Sequence, residues 1–473
     1  MSGLAPFALE AGIGVVLLLV FGAGLLARGE DRRFVAWLAT IGVLAVGVLA
    51  MLARPAGPAL GGMFVQDGLA IFAKRLFLAA TFIGLLAGLS TSERAFARRA
   101  AEYHALILAS LLGMLVLASA RNLILLFLAF ELMSIPLYVL AGFLKRDAGA
   151  VEASLKFFLV GSVSSAVMAY GLSFVYGATR TTDLARIAAV ATAGDPLLTL
   201  GLVATLVGFA FKIAAFPFHM WVPDTYEAAS TPFVAWLSVA PKAAGFVALF
   251  RVYFEGAGDR AATWVPVAAF LATVTMLAGN LMALPQQNTK RLLAYSGIAQ
   301  IGYMLVGVAA ASASGTAMVL FYLVAYVFGN MGAFLVVEAL ARSEGSEATT
   351  AFRGLAQRSP LLALAMLLFL LSLGGIPFVA GFWAKLYVFW AATERGLYWL
   401  VLLGALLTVV ALFYYLLVAK RMYIEPPDAG AGPLRLPGTL ALALILCALA
   451  VVGLGLYPKP VVMSALRVAA PLF

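Results

Sequence analysis

The chain has 473 residues, of which 64% are hydrophobic and only 11% charged, and its mean hydropathy is +1.05. A soluble core could not hide that much apolar surface, so the composition excludes a soluble globular domain and places the chain in the membrane class. The net charge of +10 gives no reason to invoke nucleic acid, because its placement orients the chain in a membrane.

A bilayer-spanning helix needs about 20 apolar residues, and about 14 segments meet that length. They start near Ala8, Phe34, Leu69, Tyr103, Asn122, Glu152, Pro196, Thr231, Ala262, Leu292, Gly315, Pro360, Leu397 and Pro437. Strand-type alternation is absent, which argues against a β-barrel. The first segment lacks a small-residue cleavage site and merges with a series of spans, so it reads as a retained helix and not a signal peptide. The longest polar connections, 179–195, 341–360 and 424–437, are short. One helical bundle with no soluble domain is expected.

With alternating spans, one set of connections holds Arg28, Arg32, Arg33, Arg94, Arg98, Arg99, Lys145, Arg146, Lys290, Arg291, Arg342, Arg353, Arg358, Lys420, Arg421 and Arg435. The other holds Arg54, Arg121, Arg180, Arg186, Arg251, Arg260, Arg395, Lys459 and Arg467. The count is 16 against 9. Positive charge favours the cytoplasmic side, which puts both termini outside.

The single cysteine, Cys447, makes no internal disulfide and cannot hold an iron–sulfur cluster. His104 and His219 are far apart and have no cysteine partners, so a metal site has no support. No dinucleotide-binding or phosphate-loop pattern follows a strand. The chain is expected to work without a bound redox cofactor.

Two stretches echo each other. "AAFPFHMW" (Ala214–Trp221) and "GGIPFVAGFW" (Gly374–Trp383) each put Pro-Phe inside a span after small residues. Proline removes a backbone donor and breaks the helix ladder. Paired interruptions are the sign of inverted-repeat transporters, and ordinary proline kinks are the alternative that sequence alone leaves open.

Ionisable groups inside spans are the most informative residues. Lys74, Arg75, Glu10 and His104 lie at span ends, where long basic chains snorkel to the interface, and all four are read that way. Glu131, Lys156, Lys212, Lys242 and Lys385 lie in mid-span. A central lysine or glutamate costs about 2.5–3.5 kcal/mol on insertion scales, so five of them point to a shared polar interior for protons or ions. Burial disfavours an ammonium and a nearby carboxylate favours it, so a lysine held between the two can take up and release a proton near neutral pH. Glu131 is the only mid-span carboxylate. Glu152 and Lys156 are spaced i,i+4 on one helix face. His219 follows Lys212 by seven residues, about two turns, and an imidazole titrates near neutral pH, so it suits a relay. A hydrogen-bonded core histidine is the alternative.

Four stretches carry a resemblance: "FELMSIPLYVLAGF", "EASLKFFLVGSVSSAVMAYGLSFVYGATRTTDL", "FKIAAFPFHMWVPDTYEAASTPFVAWLSVAPKAAGF" and "NTKRLLAYSGIAQIGYMLVG". They resemble the antiporter-like membrane subunits of bacterial NADH:quinone oxidoreductase, respiratory complex I. The loop "FVYGATRTTDL" is more similar to subunit N than to its paralogues L and M. The absence of a long C-terminal lateral helix agrees. The resemblance implies an all-α polytopic membrane protein of about 14 transmembrane helices with two inverted five-helix repeats, each containing a broken helix. It implies three N-terminal spans over 1–95, repeats over 96–258 and 259–424, and a last span over 425–473. The family's fifth-span glutamate falls on Glu131, its sixth-span lysine on Lys156, its broken-helix lysine on Lys212, its connecting histidine on His219, and its eighth- and twelfth-span lysines on Lys242 and Lys385. Arg180 stands in a surface loop where the family usually has glycine, and little effect is expected.

The function implied is proton translocation within a respiratory translocase of the bacterial inner membrane. NADH, FMN, iron–sulfur clusters and quinone would belong to partner subunits. The expected partners are the M-type neighbour and small membrane subunits. A subunit of a multisubunit Na+/H+ antiporter, or of a membrane-bound hydrogenase complex, is the rival reading. The charge bias makes one direct prediction. A topology reporter fused after Phe473 is expected on the periplasmic side, and a cytoplasmic signal would overturn the span count or the orientation.

Overall fold

In a bilayer an apolar run can satisfy its own backbone N–H and C=O groups only by coiling into a helix, and this chain does so almost throughout. The computed structural model describes residues 5–27, 33–90, 94–190, 194–257, 260–428 and 432–473. Arg28 and Arg32 of the loop-charge tally lie outside the described residues, as do 191–193 and 429–431 of the polar connections.

The described helices are α1 (Ala8–Leu26), α2 (Arg33–Leu52), α3 (Gly68–Gly88), α4 (Arg94–Arg98), α5 (Ala100–Ser119), α6 (Leu123–Ala141) and α7 (Ala148–Thr179). Then come α8 (Leu184–Val190), α9 (Pro196–Ile213), α10 (Trp221–Ala228), α11 (Thr231–Leu237), α12 (Ala240–Phe250), α13 (Ala261–Ala283) and α14 (Thr289–Ala309). The last are α15 (Ala313–Glu344), α16 (Leu355–Arg358), α17 (Pro360–Gly374), α18 (Ala380–Glu394), α19 (Tyr398–Tyr423), α20 (Gly438–Leu456) and α21 (Lys459–Ala469). A small antiparallel hairpin, β1 (Gly57–Ala59) and β2 (Phe64–Gln66), precedes α3 and pairs Gly57 with Gln66. Among the described residues 13 helices are long and apolar enough to cross a membrane. The shorter α17, continued by α18 across a break, supplies the further crossing expected from Pro360.

The chain forms two compact units. The first holds Met1–Ile213, Ala240–Val267 and Arg467–Phe473; the second holds Ala214–Val239 and Ala268–Leu466. In the first unit α7 lies along α9, α5 packs on α1 and α6, and α12 packs against α3, α5 and α9. A π-helical turn, Arg251–Gly256, extends α12. In the second unit the long α15 packs against α11, α14, α17, α18 and α20.

A backbone repeat runs through the chain at a spacing of 164–166 positions. Asn122 and Asn288 cap α6 and α14 by accepting from N–H groups of the first turn, a capping geometry their short side chains favour. The helices α7 and α15 both have 32 residues. They end on left-handed residues, Arg180 at φ 57° and Gly345 at φ 64°. The next helices, α9 and α17, open at Pro196 and Pro360, where the missing N–H costs nothing. Gly113 would place an added Cβ 2.4 Å from the Met133 backbone N, and Gly279 would place one 2.3 Å from the Ala299 backbone N. Each glycine therefore lets two helix backbones touch. Arg180 holds a left-handed conformation that glycine, as at Gly345, adopts without strain.

Both Pro-Phe stretches break their helices. After α9, Ala214 is left-handed at φ 67°, and Phe216 precedes Pro217 across a cis peptide. The Phe216 N–H donates to Thr275 Oγ1 at 3.0 Å. After α17, Gly375 and Phe378 are left-handed at φ 82° and 75°. There the Gly381 N–H donates to Ser372 Oγ at 3.1 Å. These backbone groups, freed from the helix ladder, are satisfied inside protein, as a bilayer requires. The alternative of simple kinks is set aside, because several residues at each site leave the helix altogether.

The glycine contacts generate a prediction. Gly113→Ala and Gly279→Ala should each cost about 1–3 kcal/mol by overpacking, read as a lower thermal midpoint. Gly14→Ala, with nothing within 4 Å, should be neutral or stabilising. Equal midpoints for all three would show that the helices separate without cost.

Candidate proton-carrying site

Lys212 is the penultimate residue of α9 and is 2% exposed. Its Nζ has no hydrogen-bond partner among the described residues. Aromatic faces surround it instead, with ring centroids of Phe130, Phe211 and Tyr138 at 5.0, 5.2 and 5.8 Å. A cation over a ring is stabilised by about 0.5–2 kcal/mol, more when desolvated. Glu131, next to Phe130 on α6, is close enough to act on Lys212 electrostatically. Glu131 Oε1 accepts a hydrogen bond from Ser165 Oγ of α7 at 2.5 Å, which fixes the carboxylate.

Lys242 is the third residue of α12 and is 1% exposed. One turn further on, Gly245 lies against Lys212: an added Cβ there would stand 3.2 Å from Lys212 Cγ. The first unit therefore gathers Glu131, Lys212 and the helix that carries Lys242. Glycine at 245 is what allows α12 to approach.

Lys156 is placed differently. It is the ninth residue of the 32-residue α7, its side chain is 46% exposed, and it pairs with Glu152 at 2.8 Å. It faces outward from the chain and is not brought to the interior group.

In the second unit Lys385 of α18 is 4% exposed. Its Nζ donates to the Gly374 carbonyl at 3.2 Å and lies 4.5 Å from the centroid of the Tyr303 ring. The broken helix thus supplies the acceptor for the lysine. His219 is 6% exposed and stacks on Phe216 with ring centroids 5.1 Å apart. Its Nδ1 has no hydrogen-bond partner among the described residues.

A network of neutral polar groups lies in the same unit and meets Lys385 at Tyr303, and sequence reasoning missed it. Gln300 Nε2 donates to the Leu373 carbonyl at 3.0 Å and to Tyr415 Oη at 3.2 Å, while its Oε1 accepts from Tyr322 Oη at 2.5 Å. Tyr415 Oη also pairs with Ser296 Oγ. Asn280 Nδ2 donates to Tyr303 Oη at 3.2 Å, and Asn280 Oδ1 accepts from Tyr414 Oη at 3.2 Å. A signal was present: α14 has the lowest hydropathy of the candidate spans and is 94% buried, so its Ser296, Gln300 and Tyr303 had to face protein.

Three span-end residues correct the snorkelling reading. Lys74 is 0% exposed and pairs with Glu10, itself 7% exposed, at 2.6 Å. His104 is 6% exposed, and its Nδ1 bonds the Ala100 carbonyl at 2.6 Å. Distance from a span end does not say which face a side chain occupies, and these three face other helices. Arg75 donates to the Ala50, Met51 and Ala53 carbonyls at the end of α2, a favourable place for a cation.

A sequence profile described as "NADH:quinone oxidoreductase/Mrp antiporter, TM" matches residues 120–411. NADH-quinone oxidoreductase subunit N of Moorella thermoacetica is 44% identical, over 97% of this chain and 98% of the relative. A chain in the structure of respiratory complex I from Thermus thermophilus with bound aureothin has a TM-score of 0.83 at 33% identity, covering 96% of this chain and 98% of that one. A chain of the Mrp complex from Dietzia sp. DQ12-45-1b reaches a TM-score of 0.88 at 22% identity, covering 99% and 97%, and shows the fold alone. Backbone similarity thus does not separate the respiratory from the antiporter branch, whereas sequence identity does. The chain belongs to the NADH:quinone oxidoreductase/Mrp antiporter membrane family and, within it, to subunit N of NADH-quinone oxidoreductase.

Proposed function

We propose that this chain is a proton-translocating membrane subunit of NADH:quinone oxidoreductase, in which quinone reduction elsewhere in the complex drives proton transfer through its buried ionisable groups. The observation that carries the reading is the packing of Glu131, Lys212 and the Lys242 helix beside a broken helix. A buried lysine with no hydrogen-bond acceptor needs its charge balanced from nearby, and a carboxylate is the group that can do so. Glu131 is that carboxylate, and Ser165 holds it in place. A proton taken up at Lys212 passes to Lys242, and Lys385 carries one toward the periplasmic side. His219 joins the series as a relay, a role that its place in the family pattern supports. Lys156 belongs to the same series by its place in the family pattern, and its outward face suits exchange with a neighbouring subunit.

No redox step is assigned to this chain. NADH, FMN, iron–sulfur clusters and quinone belong to partner subunits, and the neighbours are an M-type antiporter-like subunit and small membrane subunits. The complex lies in the bacterial inner membrane with both termini of this chain periplasmic. The antiporter and hydrogenase alternatives are less supported, because high identity over the full length is to subunit N.

Proton pumping in reconstituted liposomes, at matched assembly, tests the series. Glu131→Gln keeps the shape and removes the charge, so pumping should fall at least about tenfold, within the usual range for loss of an acid–base group; Glu131→Asp should be milder. Near-normal pumping by assembled Glu131→Gln would remove its role.

Lys242→Ala should interrupt transfer, and His219→Ala should lower it only in part, because water can replace a relay but not a charge-holding group. Parent-like pumping by both Lys242→Ala and Lys385→Ala would make these lysines structural charges.

A further inference from the structure

The Glu10–Lys74 pair is buried, ionisable and not used by the series above. Lys74 Nζ also donates to Gln66 Oε1 at 3.2 Å and lies 5.0 Å from the centroid of the Phe64 ring. Glu10 Oε2 is buried with no hydrogen-bond partner among the described residues. A carboxylate with an unused oxygen beside an ammonium is an expensive arrangement. A purely structural pair would gain by satisfying that oxygen.

A second ionic cluster lies on the surface side of this pair. Arg251, 1% exposed, donates through Nη1 and Nη2 to both oxygens of Asp67 at 2.6 and 2.7 Å, and through Nη1 to Glu255 at 3.0 Å. Glu255 also pairs with Arg121. The side chains of Asp67 and Arg121 are 36% and 35% exposed, so the cluster reaches the outside of the chain. Arginine does not release its proton in proteins. The cluster is therefore a fixed clamp.

The clamp also sets register. It joins the start of α3, at Asp67, to the end of α12, at Arg251, and the two helices pack together. From the clamp, Lys74 lies seven residues along α3, about 10 Å, and Lys242 lies nine residues back along α12, about 14 Å. Both lysines are thus at similar depth on neighbouring helices.

We propose that Glu10 and Lys74 form a proton-carrying step between Lys242 and the membrane side on which α3 begins, a deepening that rests on the proton-translocation reading. In the step an Nζ–H bond of Lys74 breaks and an O–H bond forms on Glu10, leaving an amine and a carboxylic acid. The amine takes a proton delivered from Lys242 through water. The acid releases its proton to water at the surface, and the ion pair is restored. Three successive proton transfers thus carry one proton net from Lys242 to the surface, and no bond between heavy atoms changes.

The test uses the whole complex in liposomes and measures proton transfer per quinone reduced. Lys74→Arg keeps the charge and the pairing with Glu10 but cannot release a proton. Proton transfer should fall at least about threefold while assembly stays at parent level, a modest demand beside the usual acid–base contribution. A structural role predicts no loss. Glu10→Gln/Lys74→Met removes both charges together, so neither is left buried alone; it should assemble and show the same deficit, whereas Glu10→Asp should retain transfer. Parent-like transfer by assembled Lys74→Arg or by the double variant, with Glu131→Gln impaired in the same series, overturns this step alone. Parent-like transfer by Glu131→Gln as well overturns the translocation reading and this step with it.

Discussion

An ammonium taken out of water needs compensation, and the chain finds a different one for each of three lysines. Lys212 is surrounded by ring faces, Lys385 receives a backbone carbonyl from a broken helix, and Lys74 receives a carboxylate. The strength of the compensation decides how easily each can change charge. The helix breaks serve this constraint directly, since an intact helix has no spare carbonyl to offer.

The repeated backbone carries unequal chemistry. At matching positions Glu131 is answered by Gly297 and Lys156 by Phe321. The first half concentrates charge near Lys212. In the second half Lys385 meets the Tyr303 ring and the Gly374 carbonyl, and Tyr303 leads into a network of hydroxyls and amides. A common backbone therefore gives Lys212 a carboxylate neighbour and Lys385 neutral dipoles.

Much of this was legible in the sequence. The span starts agree with the helices to within a few residues, because hydropathy reports length directly. The two breaks were legible because Pro217 and Pro377 cannot continue a helix. The face of a residue near a span end was not, and Lys74, Glu10 and His104 were misread for that reason. Nor was the Gln300–Tyr415 network, since neutral hydroxyls and amides barely lower a hydropathy sum. The outward position of Lys156 was hidden by the length of α7: a 32-residue helix is about 48 Å long, longer than the hydrocarbon core of about 30 Å, so a charge eight residues from its start need not be central. The resemblance placed residues in a family pattern but could not show which of them share one interior.

The helix α12 has a mechanical consequence. It holds Lys242 near one end and is fastened at the other by Arg251, gripped by both oxygens of Asp67. Sliding by a single residue would displace the guanidinium by about 1.5 Å and break that two-point grip. Piston-like travel of this helix is therefore costly, and the freedom left to Lys242 is that of its own side chain swinging on a stationary rod. Signals that pass along this part of the chain must travel as changes in field and side-chain orientation rather than as displacement of the scaffold.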